Sequence, residues 1–199
     1  MTTDTGTQPG AQPTAGATGG RVRTARVTAG RVTAGRVTAE HTVLATRLGE
    51  LTIVRDGEQL TGLYFPHHWY RPSTASFGRR SDEGFAEVTR QLGEYLDGIR
   101  MEFGLPLDAR GTGFQRKVWE LIAQIPYGQT ASYGDLARRL GGDADPRDVG
   151  AAVGRNPLSI LIPCHRVVGS TGKLTGYAGG LARKKALLDL ERTGNPGLW

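Results

Sequence analysis

The stretch SYGDLARRLGGDADPRDVGAAVGRNP, residues 132–157, predicts two short helices joined by a glycine turn. Ser132 is a favourable N-cap for the first helix, which ends at Gly141-Gly142. Asp145 is the N-cap of the second helix, and Pro146 suits its first turn. A helix, a turn and a helix in this order predict a helix-turn-helix unit.

Arg147 lies at the exposed start of the second predicted helix, and Asp148 stabilises the same turn through the helix dipole. The remainder of this helix is built from small residues, namely Gly150, Ala151, Ala152 and Gly154. Small residues let a helix approach a DNA groove closely, but they equally allow close packing between helices. DNA binding and helix packing therefore both remain open at this point.

The only cysteine of the chain lies in the heptapeptide IPCHRVV, residues 162–168. A thiol attacks carbon as its thiolate, which forms beside a base or a positive charge. His165 and Arg166 follow Cys164 directly and offer both. A lone cysteine can also be a small buried hydrophobe, so the motif alone leaves both interpretations open. Because Leu158 to Val168 is an apolar run, we expect an extended segment in which the thiol and the imidazole point to opposite sides.

The composition describes a basic, soluble chain of 199 residues, enough for one domain or two small ones. The single cysteine excludes a disulfide framework and a Cys-rich zinc site, and it favours a reducing cytoplasm. No apolar run approaches the roughly 20 residues of a membrane helix, so we expect no membrane association. The net charge of +6 permits a polyanionic partner such as nucleic acid without demonstrating one.

Residues 1–40 are rich in Thr, Gly, Ala and Pro, and Arg-Val-Thr-Ala begins at Arg26, Arg31 and Arg36. A period of five matches neither the strand nor the helix repeat, so no single face can be buried. We predict a disordered tail. This tail is either an inert extension or a loose electrostatic tether to DNA.

Residues 41–110 predict a small α/β lobe. Short strands between residues 42 and 64 are separated by the hairpin signal Asp56-Gly57. Helical spacing of apolar residues then predicts a helix over about 82–100. We interpret His67-His68 as a solvated loop rather than a metal site, and nothing in this lobe indicates chemistry.

A final helix from about Leu181 carries Glu191 on the same face as two leucines. A carboxylate on a buried face needs a partner, and His165 is the main candidate. Cys164, His165 and Glu191 would then act as nucleophile, base and orienting acid. The alternative is a solvated glutamate at a fraying helix end, and spacing alone does not exclude it.

IPCHRVV resembles the active-site signature of the O-6-alkylguanine-DNA alkyltransferases, also called methylated-DNA–protein-cysteine methyltransferases. Five further features fall in the family's order and near its spacing: Pro126-Tyr127-Gly128 with Ser132-Tyr133, Arg147 with Val149-Gly150, Asn156-Pro157, Tyr177 with Gly179-Gly180, and Glu191. The resemblance is strong over residues 111–192, weaker over 41–110 and absent over 1–40.

The resemblance implies an α+β fold, with a small ribonuclease-H-like N-terminal lobe over 41–110. A winged-helix-like, mainly helical lobe over 111–199 would contain the helix-turn-helix and the catalytic site. The implied function is repair of double-stranded DNA, in which an alkyl group moves from O-6 of guanine, or O-4 of thymine, to Cys164. Neither a metal nor an organic cofactor is implied. With no second cysteine to relay the alkyl group, one molecule would repair one lesion, as a monomer with cooperation on DNA left open.

The resemblance also implies roles for individual residues. His165 would take the proton of Cys164 through a water, and Glu191 would hold the imidazole. Asn156 would tie the DNA-binding helix to the active-site turn, and Arg147 would fill the place of a flipped base. The other implied contacts are to DNA from Tyr133, Ser170 and Gln115, and to the flipped base from Tyr177, Val167 and Ala178.

Two departures from the family's pattern affect the expected DNA affinity and lesion preference: an added anion at Asp148, and Ala178 where some relatives have serine. Two other functions also fit part of the sequence, a reader of alkylated bases that transfers nothing and a cysteine hydrolase. A reader has no use for a thiol in its pocket, and a hydrolase leaves the helix-turn-helix unexplained. Alkyl transfer is therefore our leading hypothesis.

Overall fold

A four-stranded sheet opens the part of the chain that this computed structural model describes, which is Met1 and residues 39–196. Its strands are β1 (Ala39–Thr46), β2 (Gly49–Asp56), β3 (Gln59–Tyr64) and β4 (Arg79–Arg80), in the order β3-β2-β1-β4. The pairs β1–β2 and β2–β3 are antiparallel, and β4 runs parallel to β1. The predicted hairpin is confirmed, with Gly57 in the left-handed region at φ 61°.

The predicted tail ends two residues too late, because Ala39 and Glu40 belong to β1. Glu40 forms ion pairs with Arg55 on β2 and with Arg79 on β4. These ion pairs link the start of β1 to both neighbouring strands of the sheet. The Arg-Val-Thr-Ala repeats, apart from Ala39 at the end of the third, lie outside the described residues.

Helix α1 (Ala86–Leu96) follows the sheet and is shorter than predicted at both ends. Gly98, at φ 72°, closes its C-terminal end by donating to the carbonyl oxygen of Tyr95 at 3.0 Å. The helix buries one apolar face in the main core, comprising Val88, Leu92, Tyr95 and Leu96.

One histidine of the predicted solvated pair is buried. His67 is exposed, whereas only 6% of His68 is accessible. The ring of His68 lies edge-on to Tyr64, with ring centres 5.3 Å apart. The solvated-loop interpretation is therefore wrong for His68, because the chain turns this side chain back onto the sheet.

The second half of the described chain contains helix α2 (Gly113–Ala123) and the two predicted helices α3 (Tyr133–Leu140) and α4 (Pro146–Gly154). Ser132 caps α3 through a reciprocal capping box with Asp135. Asp145 caps α4, where its Oδ1 accepts from the backbone N–H of Arg147 at 2.7 Å. Local caps therefore set where these helices begin, as the sequence predicts.

The small residues of α4 allow close packing on its inner side. Ala152 is buried, and its carbonyl oxygen accepts from Nε1 of Trp119 on α2 at 2.9 Å. The ring of Tyr133 lies against Gly150, where an added methyl group would be 3.7 Å away. Ala151, by contrast, stays exposed. The helix-packing interpretation is therefore confirmed for the inner face of α4, while its outer face is exposed to solvent.

The segment around the cysteine is not extended as predicted. Cys164–Arg166 forms a 3-10 turn, followed by β6 (Val167–Val168), which runs parallel to β5 (Ala131–Ser132). The turn forms because backbone groups bond locally: Cys164 N–H donates to Ile162 at 2.7 Å, and Arg166 N–H donates to Pro163 at 2.9 Å. Helix α5 (Leu181–Thr193) completes the described chain.

The two halves share one hydrophobic core. The backbone N–H of Leu63 on β3 donates to Pro157 at 2.8 Å, and Ser159 N–H donates back to Leu63 at 3.2 Å. Strand β3 is thereby docked beside the segment that leads to the cysteine. This α+β arrangement, a sheet lobe and a helical domain, agrees with the predicted fold class. In the described part of the chain, no helix has both the length and the apolarity to cross a bilayer.

Candidate active site

A single buried asparagine holds the turn between α4 and the cysteine. Asn156 Nδ2 donates to the carbonyl oxygen of Ile162 at 2.8 Å, and Leu158 N–H donates to Asn156 Oδ1 at 3.0 Å. Inside this turn Ile160 has φ 70°, the only positive φ of a non-glycine residue in the described chain. A β-branched residue is strained in this region. The two asparagine bonds therefore join the end of α4 to a strained backbone that leads to Cys164.

Cys164 is buried, with 3% of the residue accessible. Burial raises the pKa of its thiol, while hydrogen bonding by Asn156 and the charge of Lys184 act in the opposite direction. The net effect keeps the resting thiol neutral at pH 7. A base is then needed to form the thiolate.

His165 and Glu191 form a hydrogen-bonded pair in which both side chains are fully buried, with Nε2 2.9 Å from Oε1. Burial lowers the pKa of His165, although Glu191 opposes this shift, so the imidazole is neutral at rest. Burial alone would raise the pKa of Glu191. Hydrogen bonds from His165 and Arg166, together with the positive charge of the Arg166 guanidinium, outweigh it and hold that pKa well below its ordinary value. Glu191 is thus an ionised, buried residue rather than a solvated one.

Arg166 binds the glutamate rather than serving the thiol. Its Nε lies 2.9 Å from Glu191 Oε2, and one terminal nitrogen lies 2.8 Å from Oε1. The other terminal nitrogen donates to the carbonyl oxygen of Ile125 at 2.6 Å. The prediction that Arg166 places a positive charge beside Cys164 is therefore wrong. Its guanidinium instead neutralises the buried carboxylate of Glu191.

Two further donors to Glu191 were not found by sequence reasoning. Tyr95 Oη donates to Oε1 at 2.6 Å and lies 3.3 Å from His165 Nε2. The backbone N–H of Gly128 donates to Oε2 at 3.1 Å. Tyr95 belongs to α1, so the N-terminal lobe does contribute to the site. The sequence carries no signal for this, since Tyr95 occupies an ordinary apolar position of its helix.

The carboxylate fixes the tautomer of the histidine. An ionised carboxylate only accepts hydrogen bonds, so Nε2 of the neutral imidazole carries the hydrogen and Nδ1 keeps its lone pair. Nδ1 is buried and has no hydrogen-bond partner among the described residues. The basic nitrogen of His165 is therefore Nδ1.

Lys184 on α5 is a second buried charge that the sequence did not reveal. Its ammonium donates to the carbonyl oxygens of Val167, of Thr175 at 2.8 Å and of Gly176 at 3.3 Å. Burial lowers its pKa to about 8, and a thiolate at Cys164 opposes the shift. Because Lys184 lies within the basic run Arg183-Lys184-Lys185, its sequence is typical of a solvated helix face.

The three predicted pocket residues, Tyr177, Val167 and Ala178, are all buried. Lys184 holds them near one another, because it binds the backbone at Val167 and in the loop just before Tyr177. The Tyr177 ring lies edge-on to Phe65, with ring centres 6.2 Å apart. Burial raises the pKa of Tyr177 well above its ordinary value, so the phenol is neutral.

The predicted DNA contacts lie on the outside of the helical domain. Arg147 and Ser170 are exposed, and Tyr133 is half-buried with its Oη accepting from Thr175 Oγ1 at 3.4 Å. Tyr133 therefore joins α3 to the loop that precedes Tyr177. Gln115 has a further role, because its carboxamide oxygen accepts from Thr112 N–H at 2.9 Å in the capping box of α2. Its contact with DNA stays a prediction.

Two models of one protein family together match most of the chain. The 6-O-methylguanine DNA methyltransferase, ribonuclease-like domain, matches residues 40–109, and the DNA binding domain of the same enzyme matches residues 113–193. A methylated-DNA–protein-cysteine methyltransferase of Mycolicibacterium paratuberculosis is 44% identical over 157 residues, covering 79% of this chain and 94% of its own. The constitutive enzyme of Bacillus subtilis is 41% identical over 156 residues, covering 76% and 94%.

Among solved structures, Mycobacterium tuberculosis OGT in complex with DNA superposes with a TM-score of 0.74 at 43% identity, covering 79% of this chain and 95% of that one. The chain therefore belongs to the 6-O-methylguanine DNA methyltransferases.

Proposed function

We propose that Cys164 accepts an alkyl group from O-6 of guanine in double-stranded DNA, so that one molecule repairs one lesion. The observation that carries this proposal is a buried, oriented base in the residue that directly follows Cys164 in the chain. His165 Nδ1 is buried with its lone pair free of any described partner, while Nε2 is held by Glu191. Family membership supplies the reaction class.

The proposed reaction exchanges one bond for another. A bond forms between Sγ of Cys164 and the alkyl carbon, and the bond between that carbon and O-6 breaks. The thiol proton passes to His165 Nδ1 through a water, and the imidazolium then returns one proton, by way of water, to the departing guanine, which leaves as the normal base. The imidazolium formed in between is stabilised by Glu191. The thioether product is stable, so the protein is consumed.

A neutral resting thiol suits this role. Burial keeps Cys164 protonated, which protects it from reacting before a lesion arrives. Removal of the proton then depends on the positioned histidine rather than on the bulk pH.

The damaged base must leave the stack before Cys164 can reach it, at a cost of a few kcal/mol. We propose that Arg147, exposed in the first turn of α4, fills the vacated place. Tyr133 would crowd the nucleotide, since it lies between α4 and the loop before Tyr177. Ser170 and Gln115 would contact the DNA backbone, and Tyr177, Val167 and Ala178 would line the pocket.

The test is mass spectrometry after incubation with duplex DNA that carries O-6-methylguanine. We expect one added methyl group on the peptide that contains Cys164, and never more than one per protein. Lesion binding with an unmodified cysteine would instead identify a reader. Cys164→Ser should abolish transfer while leaving DNA affinity largely intact.

A second experiment separates base flipping from chemistry. Arg147→Ala should slow transfer on duplex DNA more than on single-stranded DNA, because only the duplex has a stack to fill. Arg192→Ala is the matched control, since Arg192 is an exposed arginine at the far end of α5. Equal slowing on both substrates would contradict the role of Arg147.

We further propose that the protein acts as a monomer in the cytoplasm, where a reducing environment keeps its single thiol active. Sedimentation with and without DNA tests the monomer and any cooperation between copies on DNA.

A further inference from the structure

Two exposed aromatic residues of the N-terminal lobe lie against the helical domain next to the site. Trp69 and Tyr70 are 64% and 45% accessible. Their segment, residues 65–71, follows β3 and is called the aromatic arm here. Neighbouring exposed apolar side chains can mark a binding groove or an interaction site.

Trp69 covers the loop that carries the predicted pocket residues. A methyl group built on Gly176 would lie 3.4 Å from the Trp69 ring, so the indole rests directly on the loop backbone. Lys184, which is fully buried, binds the carbonyl oxygens of Thr175 and Gly176 in the same loop. The loop is thus held by a buried ammonium and contacted by an exposed indole.

Tyr70 contacts the end of the DNA-binding helix. The guanidinium carbon of Arg155 lies 4.2 Å from the centre of the Tyr70 ring, and a methyl group on Gly154 would be 3.7 Å from it. Asn156 follows directly in the chain. The arm therefore contacts both segments that converge on the cysteine.

The arm itself is anchored from behind. Phe65 packs so closely on Gly179 that a methyl group there would be 2.4 Å from its ring. His68 packs on Tyr64, and the guanidinium carbon of Arg71 lies 5.0 Å from the ring centre of Phe77. Because the residues on both sides of Trp69 and Tyr70 are fixed, the two rings have little freedom to move away.

We infer that the aromatic arm sets the width of the alkyl pocket by holding the loop at residues 175–178 against Lys184. This inference rests on the proposed function, because it takes Tyr177 and Ala178 as the pocket wall. Trp69 is a positioning residue: it fixes a backbone that faces the lesion. Without Trp69, the loop can move outward. The wider pocket then admits larger alkyl groups and positions a methyl group less precisely.

The experiment compares single-turnover transfer from O-6-benzylguanine and O-6-methylguanine placed in the same duplex. Trp69→Ala should raise the benzyl-to-methyl rate ratio about fivefold or more, the scale on which pocket shape discriminates small groups. Trp69→Phe should keep the benzyl-to-methyl rate ratio close to that of the unsubstituted protein, since a flat ring again covers Gly176. Ile99→Ala is the control for loss of an exposed apolar side chain, as Ile99 is 75% accessible.

Amide hydrogen exchange at residues 175–178 provides a second measurement, and exchange there should be severalfold faster in Trp69→Ala. An unchanged ratio with unchanged exchange overturns the inference while leaving alkyl transfer to Cys164 intact. If the unsubstituted protein fails to alkylate Cys164 at all, the proposed function fails instead.

Discussion

Nε2 of His165 lies 2.9 Å from Oε1 of Glu191, although 26 residues separate them in the chain. The carboxylate of Glu191 also forms an ion pair with Arg166, so the negative charge of Glu191 is already balanced when the histidine is neutral. When His165 takes the thiol proton, the new charges are an imidazolium beside the glutamate and a thiolate consumed by the alkyl group. Such a buried cluster tolerates proton transfer because each charge has a partner.

Replacing the carboxylate tests this relationship. Glu191→Gln should lower the rate of methyl transfer roughly 100-fold, because the amide no longer stabilises the imidazolium. It should also reduce the free energy of unfolding by about 3 kcal/mol, since Arg166 is left buried without its counter-charge. Single-turnover kinetics and urea unfolding provide the measurements. Asp189→Asn, a half-buried carboxylate of the same helix that pairs with the exposed Lys185 and Arg192, should leave the transfer rate unchanged and cost less than about 1 kcal/mol. Equal effects of the two substitutions would contradict the proposed role.

Tyr95 provides a test of the link between the lobes. Tyr95→Phe removes one buried donor to Glu191 and should cost about 1–2 kcal/mol of stability. The transfer rate should fall severalfold because the carboxylate is held less firmly. Tyr127→Phe is the matched control, since the hydroxyl of Tyr127 is buried without a hydrogen-bond partner among the described residues. A loss in the control as large as in Tyr95→Phe would assign the effect to packing alone.

Lys184 should matter although it is not in the cysteine motif. Lys184→Met leaves three carbonyl oxygens without their donor, so we expect a loss of about 2–3 kcal/mol of stability. The transfer rate should fall about tenfold, because the favourable charge near the thiolate is lost and the loop is released. Lys185→Met is the control, because Lys185 is exposed and pairs only with Asp189 in the described structure. Normal transfer by Lys184→Met would refute this assignment.

The buried His68 predicts a pH dependence of stability. Burial, with a smaller contribution from the charge of Arg71, lowers the pKa of His68 to about 4 from an ordinary value of 6.5. Between these values the unfolded chain binds the proton and the folded protein does not, so stability falls as the pH drops from 6.5 to 4.

The expected contribution of His68 at pH 4.5 is a loss of about 2 kcal/mol relative to pH 7. Urea unfolding at both pH values should show that His68→Leu shrinks this difference by that amount. His67→Leu, at the exposed neighbouring position, should leave it unchanged. The same pH dependence in both variants would show that another group is responsible.

Much of the secondary structure of both lobes follows from local rules. Ser132, Asp145 and the glycine pair at 141–142 determine where α3 and α4 begin and end, and the hairpin at Gly57 forms where predicted. The helix predicted over residues 82–100 ends early at its C-terminus, because Gly98 adopts a left-handed conformation there. Local signals carry these features, since capping groups lie within a few residues of the atoms they satisfy.

The sequence by itself determined that Cys164 and His165 are neighbours and that a helix-turn-helix precedes them. Only the tertiary structure decided that Arg166 belongs to the glutamate, that Tyr95 reaches the site from the other lobe, and that Lys184 is buried. The physical reason is that hydrogen-bond partners of a buried charge are selected by three-dimensional proximity. Glu191 takes donors from residues 25 to 96 positions away, and no periodicity along the chain encodes such distances.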